Sequence, residues 1–205
     1  MIPDRANKLL LASTNPGKIK EFKVLLSVVR GITLVTPMDV GAELKVAETG
    51  KSYAENAELK ARAFCRESGL ISLADDSGLE VDALDGAPGL YSARYAPQAG
   101  ATDADRRAVL LENLAGTPQP WRARFRAAIC IALPNGNVRT TEGVCEGEII
   151  PEERGSNGFG YDPIFYIPAL GLTMAELSDQ KKNRVSHRAR GVAEMIPILQ
   201  AVFDA

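Results

Sequence analysis

Ala74-Asp75-Asp76-Ser77-Gly78 places two acids and a hydroxyl directly after the apolar run Gly69-Leu70-Ile71-Ser72-Leu73. The run reads as the end of a buried strand, so the polar groups emerge together from a rigid element. Acids in such a place cost free energy unless a cation meets them. In a polyanion site that cation is Mg2+, which takes one or two carboxylates and is shared with substrate phosphates. The same residues also fit a solvated turn, since Asp, Ser and Gly are ordinary turn residues. Alternation along an extended chain sends Asp75 and Asp76 to opposite faces. They would then hold different jobs, one on metal and water, the other oriented by backbone N–H groups. Glu80, Asp82 and Asp85 read as solvated acids.

Three further polar clusters stand in loops or at element ends, where function is usually carried. Ser13-Thr14-Asn15-Pro16-Gly17-Lys18 lies between a strand and a helix. A helix N-terminus offers backbone N–H groups and partial positive charge, and Lys18 adds a full one. The segment fits a phosphate cradle or a plain helix cap, and it is not the Walker pattern. Glu48-Thr49-Gly50 precedes Asn56 and Lys60, which share one helix face by their spacing of four. Lys60 either extends over the core edge toward a site or is a surface lysine. The last cluster is split. Gly158-Phe159-Gly160-Tyr161-Asp162-Pro163 offers a ring flanked by glycines, and Lys182, Ser186, His187 and Arg188 follow later. Phe159 suits stacking on a base, and His187 and Arg188 suit donation to carbonyl oxygens. A core Phe and Tyr, a capping His and a basic surface run are the alternative readings.

The elements that must position these groups follow from periodicity and punctuation. Lys8 to Ser13 and Ile32 to Val35 read as strands. Between them a helix opens at Pro16 and runs to about Val29, with Ile19, Phe22, Leu25, Leu26 and Val29 on one face. Ser52-Tyr53-Ala54-Glu55 predicts a capping box for a second helix ended by Gly69. Its inner stripe is Ala54, Ala57, Ala61, Phe64 and Cys65. Leu70 to Ala74 and Leu79 to Leu84 read as two strands, and Thr102 to Leu114 as a helix ended by Gly116. Arg122 to Leu133 and Val138 to Ile150 read as strands joined at Asn135-Gly136, a hairpin signal. A closing helix spans about His187 to Phe203, with Pro197 inside it. Crossovers and a hairpin together predict an α/β fold with a mixed sheet.

The 205 residues suit one large domain or two closely packed lobes, and no repeat or linker divides them, so residues 1–205 read as one folded unit. A net charge of -2 does not point to a nucleic-acid duplex or an anionic membrane as partner. No apolar run approaches the roughly 20 residues of a membrane span, and the N-terminus lacks a signal-peptide layout. The 3 cysteines are widely spaced with no CxxC pattern, which fits a reduced, cytoplasmic setting. The single histidine excludes a His-rich zinc site.

In order along the chain stand S-T-N-P-G-K, E-T-G, E-N-A-x-x-K-A, A-D-D-S-G-L, G-A-P-G-x-Y-S-A-R-Y, G-F-G-Y-D-P-x-F and K-x-x-x-S-H-R. Together they resemble the inosine/xanthosine triphosphate pyrophosphatase family, from Leu9 to past Arg190. The resemblance implies an elongated, two-lobed α/β fold around a central mixed sheet, with a nucleotide cleft between the lobes. It implies hydrolysis of ITP, dITP and XTP to the monophosphate and pyrophosphate with Mg2+, and a homodimer. Ser13, Thr14, Asn15, Pro16, Gly17 and Lys18 match the family's triphosphate loop. Glu48 and Asp76 match its metal-binding acids, and Asp76 also its proton acceptor. Lys60 matches the lysine of the catalytic phosphate region, and Ser77 a substrate contact. Phe159, Gly160, Tyr161, Asp162, Lys182, His187 and Arg188 match the nucleoside pocket. The stretch from Gln98 to Gln119 matches no motif.

Two other readings remain to be separated by experiment. One is a related pyrophosphatase acting on other nucleotides, such as modified pyrimidines. The other is a non-catalytic nucleotide-binding module. A phosphatase that uses adjacent acids after its first strand fits less well, because no DxD follows that strand.

Overall fold

The computed structural model describes residues 7–204. Its elements are β1 (Lys8–Leu11), α1 (Pro16–Leu25), β2 (Thr33–Val35), α2 (Tyr53–Ser68), β3 (Ile71–Val81), α3 (Asp103–Leu114), β4 (Trp121–Ala132), β5 (Val138–Ile149), β6 (Phe165–Ile167), β7 (Leu172–Thr173), α4 (Asp179–Val185) and α5 (His187–Phe203). The seven strands form one sheet in the order β2-β1-β3-β4-β5-β6-β7. β1 runs parallel to both β2 and β3, whereas β6 is antiparallel to β5 and β7. The sheet is therefore mixed, as the combination of crossovers and hairpin predicts.

The chain divides into two compact units. The first holds residues 7–76, 127–143 and 188–204, and the second residues 77–126 and 144–187. The core of the first is Leu9 and Leu11 of β1, Phe22 of α1, Leu73 of β3, Ile129 and Ile131 of β4, and Val192, Met195 and Leu199 of α5. The spacings of three and four in α5 place its apolar residues on one face. Phe22 is fully buried, and truncating it to Ala would cost about 3–5 kcal/mol. The second core joins Leu79 and Val81 of β3 to Leu110 and Leu114 of α3, with Trp121, Phe125 and Phe165.

The structure corrects several expected boundaries. Residues 71–81 form one strand where two were expected, so Asp75, Asp76 and Ser77 lie within β3 and not at a strand end. Both acids are buried and met by side chains from other elements, so their polarity need not end the strand. α1 stops at Leu25, and Leu26–Val28 tightens into a 3-10 turn. Ser52 caps α2 through the Glu55 N–H, but the Glu55 carboxylate accepts from the Lys51 N–H instead of the Ser52 N–H. The capping box is thus only half formed. Gly69 closes α2 in the left-handed conformation, as expected. β6, β7 and α4, of three, two and seven residues, were not expected.

Candidate active site

On the first unit, β3 presents its two acids to different helices. The Asp75 carboxylate is 1% exposed and pairs with Lys18 of α1 at 3.0 Å. It also accepts from Nε and Nη2 of Arg188 at 3.3 and 3.1 Å. The remaining terminal nitrogen, Nη1, donates to Glu21 at 2.5 Å. Two cations and two anions thus close on one another from α1, β3 and α5. Burial alone would raise the Asp75 carboxyl, but Lys18, Arg188 and Lys60 outweigh it and hold that carboxyl well below the usual carboxylate range. Burial lowers the Lys18 ammonium, and Asp75 offsets only part of that.

Asp76 serves the other helix. Its Oδ1 lies 3.1 Å from Lys60 Nζ, and the same ammonium lies 2.8 Å from Glu48 Oε1. Its Oδ2 accepts from Asn56 Nδ2 at 3.1 Å, while Asn56 Oδ1 accepts from the Gly50 N–H at 2.8 Å. That second bond fixes which way the amide faces, so its NH2 points at the acid. A Cβ on Gly50 would come within 2.7 Å of Asn56 Oδ1, which explains glycine in Glu48-Thr49-Gly50. Asn56 and Lys60 act from one face of α2, as their spacing predicts. Burial raises the Asp76 carboxyl above its ordinary value, despite Lys60 and Lys18 pulling it down. Burial also opposes the Lys60 charge, but Asp76, Asp75 and Glu48 prevail and raise its pKa.

Glu48 and Asp76 therefore converge on one cation position, filled here by an ammonium. Among the described residues no group of three or more His, Cys, Asp and Glu could hold a metal ion. A two-carboxylate set suits Mg2+ that completes its shell with water and phosphate oxygens, so the donors fit that ion in the presence of a phosphate ligand.

At the start of α1, Asn15 caps the helix by accepting from the Lys18 N–H at 3.1 Å, and Ser13 Oγ accepts from the Asn15 N–H at 3.3 Å. Pro16 occupies the first turn. Thr14, Asn15 and Pro16 are exposed, and Ser13, Gly17 and Lys18 half-buried. The cap and a reaching lysine coexist in the one segment.

On the second unit, Lys182 of α4 and Asp162 form a buried ion pair at 2.5 Å. Asp162 Oδ2 also accepts from the Phe159 N–H at 2.9 Å, and Lys182 Nζ sits 4.9 Å from the centroid of the Phe159 ring. Gly158 has φ of +78°, and a Cβ there would strike the Asp162 carboxylate. The Tyr161 hydroxyl donates to the Ser92 carbonyl at 2.9 Å. His187 stacks on Phe125 with centroids 4.9 Å apart. Ser77 is half-buried within β3.

The residues expected in the nucleoside pocket are thus divided. Phe159, Gly160, Tyr161, Asp162, Lys182 and His187 belong to the second unit, and Arg188 to the first. Arg188 was expected to donate to a base carbonyl; in this structure it is 1% exposed and donates to Asp75 and Glu21. Sequence reasoning passed over Glu21 and left Asp75 without a task. Glu21 stands three residues after Lys18 on α1, a spacing that could have drawn notice.

Lysines and carboxylates gathered on a mixed sheet make this an α/β protein with a candidate polyanion site. The sequence model of the Ham1 family matches residues 9–198, and the chain belongs to that family. It is 47% identical over 197 residues to the dITP/XTP pyrophosphatase of Desulforamulus reducens, covering 96% of this chain and 97% of the relative. It is 42% identical over 192 residues to the dITP/XTP pyrophosphatase of Bacillus subtilis, covering 94% and 96%. Among solved structures, a HAM1 protein from Coxiella burnetii superposes with a TM-score of 0.86 at 40% identity, over 95% of this chain and 99% of that one. A nucleoside-triphosphatase, dITP/XTP pyrophosphatase, from Mycobacterium abscessus gives 0.74 at 42% identity, over 94% and 99%.

Proposed function

We propose that this chain hydrolyses non-standard purine nucleoside triphosphates (ITP, dITP and XTP) to the monophosphate and pyrophosphate, and so keeps them out of nucleic acids. The observation that carries the reading is the Glu48–Lys60–Asp76 cluster, in a chain whose near full-length relatives bear the name dITP/XTP pyrophosphatase. Stabilising charge is the main task in phosphoryl-type transfer, because a triphosphate brings about four negative charges. Glu48 and Asp76 would hold Mg2+, which supplies charge neutralisation and a more acidic water. Asp76 accepts the proton as water attacks the α-phosphorus. Its carboxyl, raised by burial and oriented by Asn56, is suited to taking one. Lys60 and Lys18 hold the departing pyrophosphate. Asp75 holds Lys18 in place, and Arg188 in turn holds Asp75.

Selectivity then rests on Phe159 for stacking and on donors such as His187 and Lys182 for the 6-oxo group. A donor satisfies an oxygen but faces another donor on adenine, and a buried mismatch is rejected strongly. Base reading by Arg188 would require its bonds to Asp75 and Glu21 to open. The family resemblance adds a homodimer and a cytoplasmic setting to the proposal. No helix among the described residues is long and apolar enough to cross a membrane.

A substrate panel tests the reading: ITP, dITP, XTP, dUTP, GTP and ATP, each with Mg2+ and with EDTA. Pyrophosphate release from the first three with Mg2+, and little from ATP or GTP, is the expected result. Fastest release from dUTP or a modified pyrimidine would move the chain to the alternative substrate class. No release from any triphosphate would leave only a binding module.

A further inference from the structure

The one helix of the motif-free stretch between Gln98 and Gln119 reaches into the loop assigned to the base. Asp103 Oδ2 accepts from the Gly160 N–H at 2.7 Å, and Arg107 Nη1 donates to the Gly160 carbonyl at 2.8 Å. Both backbone polar groups of that residue are therefore taken by α3. Arg107 is itself aimed by a two-point pair with Glu153, at 2.7 Å from Nε and 2.9 Å from Nη2. Asp103 is steadied by Arg106.

The helix that delivers the grip is fixed about its own axis. Asp103, Arg107, Leu110 and Leu114 follow the spacing four, three, four, so they form one stripe. Leu110 and Leu114 are fully buried in the second unit's core. That anchoring turns the polar half of the same stripe toward Gly160. The loop needs such a hold. Gly158 and Gly160 have φ of +78° and +63°, so Phe159 sits between two residues with little intrinsic restraint. On one side Phe159 is tied through its N–H to Asp162. Its carbonyl accepts from the Asp162 N–H at 3.2 Å, and the α3 grip holds the next residue, Gly160, inside the turn that bond closes.

We propose that Asp103 and Arg107 are positioning residues for the purine end of the substrate, acting by fixing Gly160 and so the ring of Phe159. This rests on the reading of Phe159 and Asp162 given above. The shift of the Asp103 carboxyl agrees with it: burial would raise it, but the Gly160 N–H and Arg106 hold it below the usual range. Stacking surfaces work only when held to within about half an ångström, so a loosened loop weakens base binding and leaves the phosphate chemistry intact.

The test uses the full chain with Asp103→Ala, Asp103→Asn, Arg107→Ala and Arg107→Lys. The probes are IMP and pyrophosphate by titration calorimetry, and ITP by steady-state turnover with Mg2+. The two alanine variants should weaken IMP binding and raise the ITP KM by about tenfold, with kcat and pyrophosphate affinity within about twofold of wild type. Asp103→Asn keeps an acceptor oxygen and should recover most of the IMP affinity. If an alanine variant does not fold, Arg107→Lys, which cannot serve Glu153 and Gly160 together, should show the same split in smaller measure. IMP affinity unchanged in the folded variants overturns the proposal. So does a loss of IMP and pyrophosphate binding in equal measure, which would mark a general structural role. A wild-type chain that binds IMP but turns over no ITP would sink the pyrophosphatase reading, while the IMP titrations would still decide the clamp. Failure of wild type to bind IMP overturns the clamp as well.

Discussion

Asp75→Asn removes one charge from the most enclosed polar cluster in the first unit. The carboxylate is 1% exposed, with Lys18 Nζ at 3.0 Å and two Arg188 nitrogens at 3.1 and 3.3 Å. Without its charge, buried Arg188 and half-buried Lys18 face each other with Glu21 as the remaining acid in the cluster. Breaking a buried pair by removing one partner costs about 3–5 kcal/mol. Asn keeps an acceptor oxygen, so the lower end, about 3 kcal/mol, is the expected loss. For a chain of this size that lowers Tm by about 6–12 °C.

Unfolding should be followed by far-UV circular dichroism and by fluorescence of the single tryptophan, Trp121, which lies in the second unit. Two probes are needed because two compact units can unfold separately. The dichroism transition should fall by the stated amount, and kcat/KM with ITP should fall with it as Lys18 loses its partner. A Tm within about 2 °C of wild type would refute the assignment of Asp75 as the anchor of Lys18 and Arg188.

The same exchange one residue later should behave differently. Asp76→Asn should lower kcat with ITP by at least about a hundredfold, with little loss of Tm, because burial already disfavours that charge; near wild-type kcat would remove Asp76 as proton acceptor. Gly50→Ala pushes against Asn56, so it should weaken activity through Asp76 orientation, read as a lower kcat at an unchanged oligomeric state. Burial raises the Tyr161 phenol above its ordinary value. Its neutral form is therefore favoured on folding, and that contribution is complete below about pH 10 and lost as pH rises above it. Tyr161→Phe strands the Ser92 carbonyl and should cost about 1–2 kcal/mol at pH 8. The gap to wild type should narrow in urea titrations above pH 10, and a constant gap would contradict the shift.

Much of the fold was legible where one short signal decides an element. Pro16 opens α1, Ser52 and Gly69 bound α2, and Asn135-Gly136 joins β4 to β5. The continuity of β3 was not legible. Asp, Ser and Gly are poor strand formers, and what permits them there comes from far away in the chain. Arg188 reaches Asp75 across 113 positions. Opposite faces for Asp75 and Asp76 did follow from the period of two, and the structure gives the two acids separate partners. Glu48 and Lys60 each stand in a family motif, but their pairing, and the Gly50–Asn56 bond that aims the amide at Asp76, are visible only in the structure. The grip of Asp103 and Arg107 on Gly160 lay beyond the sequence altogether. Its partners are 57 and 53 positions apart, and both side chains look like ordinary polar positions on a surface helix.

The most direct test of the central claim is hydrolysis of ITP in 18O-labelled water with Mg2+, with both products weighed by mass spectrometry. Attack at the α-phosphorus with Asp76 as proton acceptor predicts IMP carrying one 18O and unlabelled pyrophosphate. Label in the pyrophosphate, release of IDP and phosphate, or no turnover would contradict it.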